Sequence, residues 1–404
     1  MNILFLTLLG FETLDESNIY TDLLKVFVNN GHNVSVISPV ERRTNIKTHM
    51  VNENNTSILR LKIGNTQKTN IIEKGISTLL IESEFVRAIK SFFGGVKFDV
   101  VLYSTPPITF AGAIEYVRKR DNAKTYLLLK DIFPQNALDI GMMKKHGPKS
   151  ILYRHFRKKE KKLYLISDRI GCMSQANVDY IKKFNPELDP TKLEVCPNCI
   201  EIHDKSLMAY DKEIIRNKYD IPLDKRVFVY GGNLGRPQGV PFIIDCLSIC
   251  NNLEKVFFLI VGDGTEYYLL EEYVTRNKPT NVKLMKRVPK EDYDKIVAAC
   301  DVGMIFLDHR FTIPNFPSRL LSYMQAKLPV LAITDPHTDI GEVITQGNFG
   351  WWCESDNSIE AKKIIERISQ MSSVADLGVN SWEYLKNHYD VEDAYKVIIE
   401  SSRL

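Results

Sequence analysis

Nowhere in this 404-residue sequence does an uninterrupted apolar run approach the ~18 residues of a membrane-spanning helix. An excess of one charge is missing too. Lys+Arg (53) and Asp+Glu (50) nearly cancel, which argues against a dedicated nucleic-acid binder. Met1-Asn2-Ile3-Leu4-Phe5-Leu6 lacks the basic opening of a secretory signal and reads as a first strand. The expectation is a cytoplasmic chain. Cysteine is sparse and odd in number: seven, at 172, 196, 199, 246, 250, 300 and 353. That is a poor disulfide framework and suits a reducing compartment. Cys196-Pro197-Asn198-Cys199 has CxxC spacing, but no second pair or nearby His completes a zinc site, so it reads as a strand end and turn. Short-period repeats are absent, which excludes a solenoid.

What is present is an ordinary globular composition, 44% hydrophobic and 25% charged, over a length that suits two α/β domains. Short β-branched runs alternate with helical patterns, the mark of parallel βαβ units. The first half predicts strands at Ile3–Leu8, Asn33–Ser38, Asp99–Tyr103, Lys124–Leu129 and Arg169–Met173. Helices are predicted at Asn18–Asn30, Ile108–Arg120, Lys149–Ile166 and Gln175–Phe184. Gly31 supplies the positive φ after the first helix, and His32 reads as a turn residue. A polar stretch from Glu201 to Pro222 reads as a linker. Strands resume at Arg226–Tyr230, Val256–Val261, Val282–Met285, Val302–Phe306 and Val330–Ile333, with helices at Val240–Cys250, Thr265–Arg276, Lys290–Ala299, Ser318–Lys327 and Ser358–Ser369. The expected architecture is two doubly wound Rossmann-like domains, 1–202 and 203–404, facing each other across a cleft, with the last helix free to cross back. Ligands of such sheets sit at the carboxyl ends of the strands.

The most informative segment is Tyr230-Gly231-Gly232-Asn233-Leu234-Gly235-Arg236-Pro237-Gln238-Gly239. It links a strand to a helix, where glycines let backbone N–H groups approach a diphosphate. Arg236 adds a planar cationic fork for phosphate oxygens. A second tight turn, Gly262-Asp263-Gly264, ends the next strand. Further on come Ile313-Pro314-Asn315-Phe316-Pro317-Ser318-Arg319-Leu320-Leu321-Ser322-Tyr323-Met324 and Leu328-Pro329-Val330.

The order of these blocks resembles the C-terminal domain of family 4 glycosyltransferases of the GT-B fold, over nearly the whole chain. "YGGNLGRPQG", Lys130-Asp131-Ile132-Phe133-Pro134-Gln135-Asn136-Ala137 and "PSRLLSYM" resemble bacterial capsule and O-antigen enzymes of the N-acetyl-L-fucosamine transferase type. The resemblance implies a hexosyl transferase using a nucleotide diphosphate-sugar, UDP-linked, with an N-acetylated deoxysugar as one candidate. It further implies retention of configuration, no cofactor and no metal. The acceptor would be a glycan or polyprenyl-diphosphate glycan of surface polysaccharide synthesis. The implied donor-binding residues are Gly232, Asn233, Gly235, Gln238, Gly239, Asp263, Gly264, Pro317, Ser318, Arg319 and Ser322. Departures from the pattern matter: Pro314 and Ser322 stand where the family carries two glutamates for sugar and ribose hydroxyls. Asn233 and Gln238 stand where it often has Arg and Lys, so Arg236 and Arg319 are the candidates to restore that charge. Ser318 is placed either to cap the following helix or to contact phosphate.

On the N-terminal side Lys130 replaces the family's His. Lys130 could supply charge to the leaving group, and Asp131 either receives the acceptor hydroxyl's proton or caps the next turn. Thr105 and Asn136 shape the same acceptor region, as do Gly10 and Ser17 in the loop after the first strand. Asp292-Tyr293-Asp294 is a literal DxD, but its acids suit the first turn of a surface helix. Residues 144–162 hold nine Lys/Arg and one Glu. Leu152, Phe156 and Leu163 fall on one helical face, with Tyr153 and Tyr164 beside it. That helix either lies on an anionic inner-membrane surface through Arg154, Arg157, Lys158 and Lys161 or packs conventionally with a solvated charged face. Two rival functions are a non-hydrolysing sugar-nucleotide epimerase and a catalytically silent GT-B scaffold, the latter motivated by the missing glutamates.

Overall fold

The strands are held in place by apolar runs too long and too uniform to leave either face wet. Ile3, Leu4, Phe5 and Leu6 are all fully buried, as expected where helices cover both faces of a parallel sheet. The computed structural model describes residues 1–65, 71–147 and 150–403. The chain divides into two compact units, Met1–Glu201 with Val391–Leu404, and Ile202–Asp390.

The first unit's strands are β1 (Asn2–Leu6), β2 (Asn33–Glu41), β3 (His49–Glu53), β4 (Thr56–Ile63), β5 (Val100–Ser104), β6 (Lys124–Leu129), β7 (Arg169–Cys172) and β8 (Leu193–Val195). They form one sheet in the order β3-β4-β2-β1-β5-β6-β7-β8, parallel except for the β3–β4 hairpin. The helix Ile19–Asn29 opens on a capping box, Asn18 accepting from the N–H groups of Tyr20 and Thr21. Gly31 follows it with φ +78°. His32 bonds through Nε2 to the Tyr395 hydroxyl at 3.0 Å. The helix carrying Tyr395, Val391–Arg403, buries Ala394, Ile398 and Ile399 in the same core as Ile3, Phe27 and Leu128. Each fully buried aliphatic side chain contributes about 1.5–3 kcal/mol, which anchors the chain's last helix to this unit.

In the second unit β9 (Arg226–Asn233), β10 (Val256–Asp263), β11 (Val282–Met285), β12 (Val302–Phe306), β13 (Val330–Thr334) and β14 (Gly350–Glu354) form a parallel sheet in the order β11-β10-β9-β12-β13-β14. Two readings need correction. The stretch Glu201–Pro222 is not a bare linker, because Ala209–Lys218 is helical. Its anchor is polar: Arg216 donates to the Ala299 carbonyl at 2.8 Å and to Asp301 at 2.9 Å. A helix fixed by one buried arginine leaves little hydrophobic periodicity.

The basic helix spans Ser150–Ile166, and Lys149, where it was read to begin, lies outside the described residues. It buries Tyr153, Glu160, Leu163, Tyr164 and Ile166, while Leu152 is exposed. Arg157 is not surface-facing as expected. Its guanidinium reaches Glu160 at 2.6 Å, the Phe184 carbonyl at 2.9 Å and Asn185 at 2.7 Å. Lys161 pairs with Glu187 at 2.7 Å, whereas Arg154 and Lys158 stay exposed. Burying Glu160 raises its pKa, and Arg157 opposes that shift. Arg157→Met should therefore lower unfolding free energy by about 3 kcal/mol in urea titration, the cost of stranding a buried charge. Unchanged stability would show that the pair is a surface ornament.

Candidate functional site

The Gly-rich turn of the second unit is built by two strands crossing at close quarters. β9 and β10 run in register to their ends, so Gly232 faces Gly262 and Asn233 faces Asp263. A Cβ on Gly262 would lie 2.1 Å from the Gly232 carbonyl, and one on Gly264 would lie 2.2 Å from that of Leu234. Gly232 itself sits at φ +132°. Only glycine permits this contact.

The backbone donors of the turn are largely spent on holding it shut. Leu234 N–H donates to the Asp263 carbonyl at 2.9 Å, Gln238 N–H to Gly235 at 3.0 Å and Gly239 N–H to Arg236 at 3.0 Å. Gln238 is buried and braces the turn, its Oε1 accepting from Asn233 Nδ2 at 2.9 Å and Gly235 N–H at 3.2 Å. This corrects the expectation that the turn offers its N–H groups freely to a diphosphate. Asp263 is exposed and accepts locally from Gly264 N–H at 2.9 Å.

The cations compensate. Arg236 is half exposed, its Nε 3.6 Å from Glu266 Oε1. Arg319, the first residue of the helix Arg319–Gln325, lies under the turn with its Cζ 4.5 Å from the Tyr230 ring centroid. Its Nη1 is buried without a hydrogen-bond partner, and its guanidinium comes within 3.4 Å of the position a Gly232 Cβ would take. A guanidinium nitrogen without an acceptor is costly unless a ligand completes it. Ser318 precedes that helix, but its hydroxyl makes no capping bond and is exposed, so the capping alternative is not realised. Pro317 and Ser322 are partly buried beside it, Pro314 is buried, and Asn315 Nδ2 is buried without a partner.

Sequence reasoning missed the tyrosines beneath the turn. The space a Gly231 side chain would take is filled by the Tyr293 ring, and Tyr323 donates to the Met304 carbonyl at 2.9 Å. Long-range aromatic contacts of this kind leave no local pattern. Tyr293 is the middle of the DxD; its flanking acids pair with lysines, Asp292 with Lys218 at 3.6 Å and Asp294 with Lys205 at 2.8 Å.

The first unit carries a second polar group at the carboxyl end of β6. Thr105 Oγ1 accepts from the N–H groups of Lys130 at 3.1 Å and Asp131 at 3.3 Å, fixing the backbone there. Both Asp131 oxygens accept from Asn136 Nδ2, at 2.8 and 2.7 Å. Asn136 is thereby committed to Asp131. The helix Gln135–Asp139 starts at Pro134 without a side-chain cap, so Asp131 does not cap it. Burial pushes the Asp131 carboxyl up to about 6, a value suited to a proton acceptor near neutral pH. Lys130 departs from its expected role. Its ammonium turns inward to the carbonyls of Cys196 at 3.3 Å and Pro197 at 3.4 Å, and burial lowers its pKa. It lines a small, water-sized pocket with Ile19, Tyr20 and Asn198. Gly10 and Ser17 are exposed in the loop after β1, which Phe11 anchors by donating to Ser38 Oγ at 2.9 Å. All seven cysteines are buried, and no cluster of metal-ligating side chains occurs among the described residues.

The family described as "Glycosyl transferases group 1" matches residues 211–379, a span that holds every element of the Gly-rich site. The chain carries a group 1 glycosyltransferase domain. It is 26% identical over 337 residues to a probable glycosyltransferase, WbjE, of Pseudomonas aeruginosa, covering 81% of this chain and 80% of that protein. The putative colanic acid biosynthesis glycosyl transferase WcaI of Escherichia coli K12 is 21% identical, covering 78% of each. Among solved structures, Anabaena HepE in complex with UDP superposes with TM-score 0.71 at 17% identity over 100% of both chains. Sucrose-phosphate synthase from Thermosynechococcus elongatus gives TM-score 0.76 at 14% identity, over 100% of this chain and 98% of that one. The chain has the GT-B architecture of two parallel-sheet α/β units.

Proposed function

We propose that this glycosyltransferase moves a sugar from a nucleotide diphosphate-sugar, UDP-linked, onto a lipid-linked or other glycan in bacterial surface polysaccharide synthesis. The observation that carries the reading is Arg319, whose buried Nη1 lacks a partner beside Gly232. A diphosphate oxygen supplies the missing acceptor. Arg236 adds a second positive charge by exchanging Glu266 for phosphate, and the exposed Ser318 hydroxyl a donor. In the reaction the bond from the anomeric carbon to the diphosphate breaks and the acceptor oxygen forms its own bond to that carbon. Asp131 takes the hydroxyl proton, and the arginines hold the charge of the departing nucleotide. Arginines at that position make a metal unnecessary for charge neutralisation. The resemblance implies retention, which the anomeric proton coupling of the product reads directly. HepE, solved with UDP and with UDP-glucose, and WcaI, named for colanic acid biosynthesis, support the donor class and the polysaccharide context.

Thermal unfolding with UDP, GDP and dTDP tests this reading. UDP at 100 times its Kd should stabilise the fold by about 2.7 kcal/mol, and no shift with any of the three would favour a silent scaffold.

No helix among the described residues is long and apolar enough to cross a membrane. A lipid-linked acceptor is reached instead from the membrane surface, through exposed Ile151, Leu152, Arg154 and Lys158. Arg154→Glu with Lys158→Glu should abolish flotation with vesicles containing anionic phospholipid and leave stability unchanged. Equal flotation of both proteins would remove this surface from the account.

A further inference from the structure

The geometry points to Tyr230 as a positioning residue that holds the Arg319 guanidinium ready for the diphosphate. This rests on the donor reading above and names a residue outside the expected contact set. Tyr230 is fully buried within β9, with its hydroxyl donating to the Asn233 carbonyl at 2.6 Å. The Arg319 Cζ lies 4.5 Å from the ring centroid, within the range where a guanidinium is held by the face of an aromatic ring. An arginine side chain has many rotamers, and fixing it before the ligand arrives removes an entropy cost from binding.

The surrounding residues leave the guanidinium few other places. Gly232 borders it on one side at the distance given above. Tyr293 occupies the space freed by Gly231. Tyr323 is tied to the backbone of β12 and β9 through the carbonyls of Met304 and Val229, at 2.9 and 3.3 Å. The arginine therefore has an aromatic support yet no carboxylate partner: no ion pair to Arg319 occurs among the described residues. Holding a cation by a ring leaves its charge unneutralised. A carboxylate in the same place would compete with the phosphate, as Glu266 does at Arg236.

The ring faces the Arg319 guanidinium, and the hydroxyl, which donates to the Asn233 carbonyl, also lies beside that guanidinium. Tyr230→Phe and Tyr230→Leu separate the two contributions. Tyr230→Phe keeps the ring and should bind nucleoside diphosphate within about threefold of wild type, whereas Tyr230→Leu should weaken it about tenfold. The loss should be confined to the diphosphate, so affinity for the parent nucleoside should not change.

The test is calorimetric titration of the full chain with whichever of UDP, GDP and dTDP binds most tightly, and with the matching nucleoside. It uses wild type, Tyr230→Phe, Tyr230→Leu, Arg319→Ala and the Leu/Ala double variant. If Tyr230 acts through Arg319, the double variant binds the diphosphate no more weakly than Arg319→Ala alone. Undiminished diphosphate affinity in Tyr230→Leu, or additive losses in the double variant, would overturn the positioning role while the donor site stands. Absence of binding by wild type to all three diphosphates would overturn the donor reading and this inference together. Tyr230→Met, similar in length and without a ring, replaces the leucine variant if that one does not fold.

Discussion

Arg319→Ala is expected to reduce kcat/KM for the nucleotide-sugar donor by about 100-fold or more, the range found when a preorganised charge donor is removed. Stability should barely change. In the fold the guanidinium makes a ring contact worth about 1 kcal/mol and leaves Nη1 unsatisfied. Its removal therefore takes away a liability along with a contact. This separation of activity from stability identifies a residue kept for a ligand. Arg236→Ala should have a smaller effect, about tenfold, because Arg236 is half exposed and shares its charge with Glu266. Sequence placed Arg236 and Arg319 side by side as charge candidates; the burial of the Arg319 Nη1 puts Arg319 first. Kinetics of the two variants with the same donor measure it, and a fully active Arg319→Ala would move the diphosphate elsewhere.

The second large effect is expected at Asp131. Asp131→Asn should lower turnover by 10²–10⁴, the range for loss of a positioned general base, and should make the fold more stable at pH 8. The sign follows from the raised carboxyl. Its folded pKa of about 6 exceeds the ordinary 3.8, so its contribution to stability is fully present below pH 3.8 and is lost as pH rises through about 6. At pH 8 the ionised, buried Asp131 costs up to about 3 kcal/mol, which asparagine avoids while still accepting from Asn136. Catalysis runs the other way. Proton acceptance needs the ionised form, so wild-type turnover should fall as pH drops through about 6. Glu160 is the carboxylate that feels the Asp131 charge. Pairing with Arg157 limits its part in that titration. Urea unfolding at pH 4 and pH 8, with a pH–rate profile, reads both signs. Loss of activity without the gain at pH 8 would mean that Asp131 is not the group titrating.

The architecture was legible where burial is uniform. β6, β11 and β12 have the bounds read from sequence: β12 is buried throughout, β6 is buried after Lys124, and β11 keeps apolar residues on either side of Lys283. β3, β4 and β14 were missed: β3 and β14 are partly exposed edge strands, and β4 interrupts its apolar residues with Ser57, Arg60 and Lys62. The short β8 was read only as the strand end before Cys196. The helix Ala209–Lys218 was missed because a buried arginine holds it. At the site, glycines were legible since close backbone crossings demand them, and this located the Gly-rich turn. The uses of its groups were not legible. Gln238 and Lys130 look like ligand contacts in sequence, yet both turn inward because carbonyls, amides and N–H groups nearby need partners. Tyr230 and Tyr293 look like ordinary core residues, and only their placement against Arg319 and Gly231 distinguishes them.

The central claim is that the second unit holds a nucleoside diphosphate through Arg319 at the Gly232 turn. Calorimetric titration of the wild-type chain with UDP, repeated with Arg319→Ala, tests it most directly. The account expects saturable binding by the first protein and at least a 100-fold weaker Kd for the second. Equal affinities, or no binding of UDP by the wild-type chain, would contradict it.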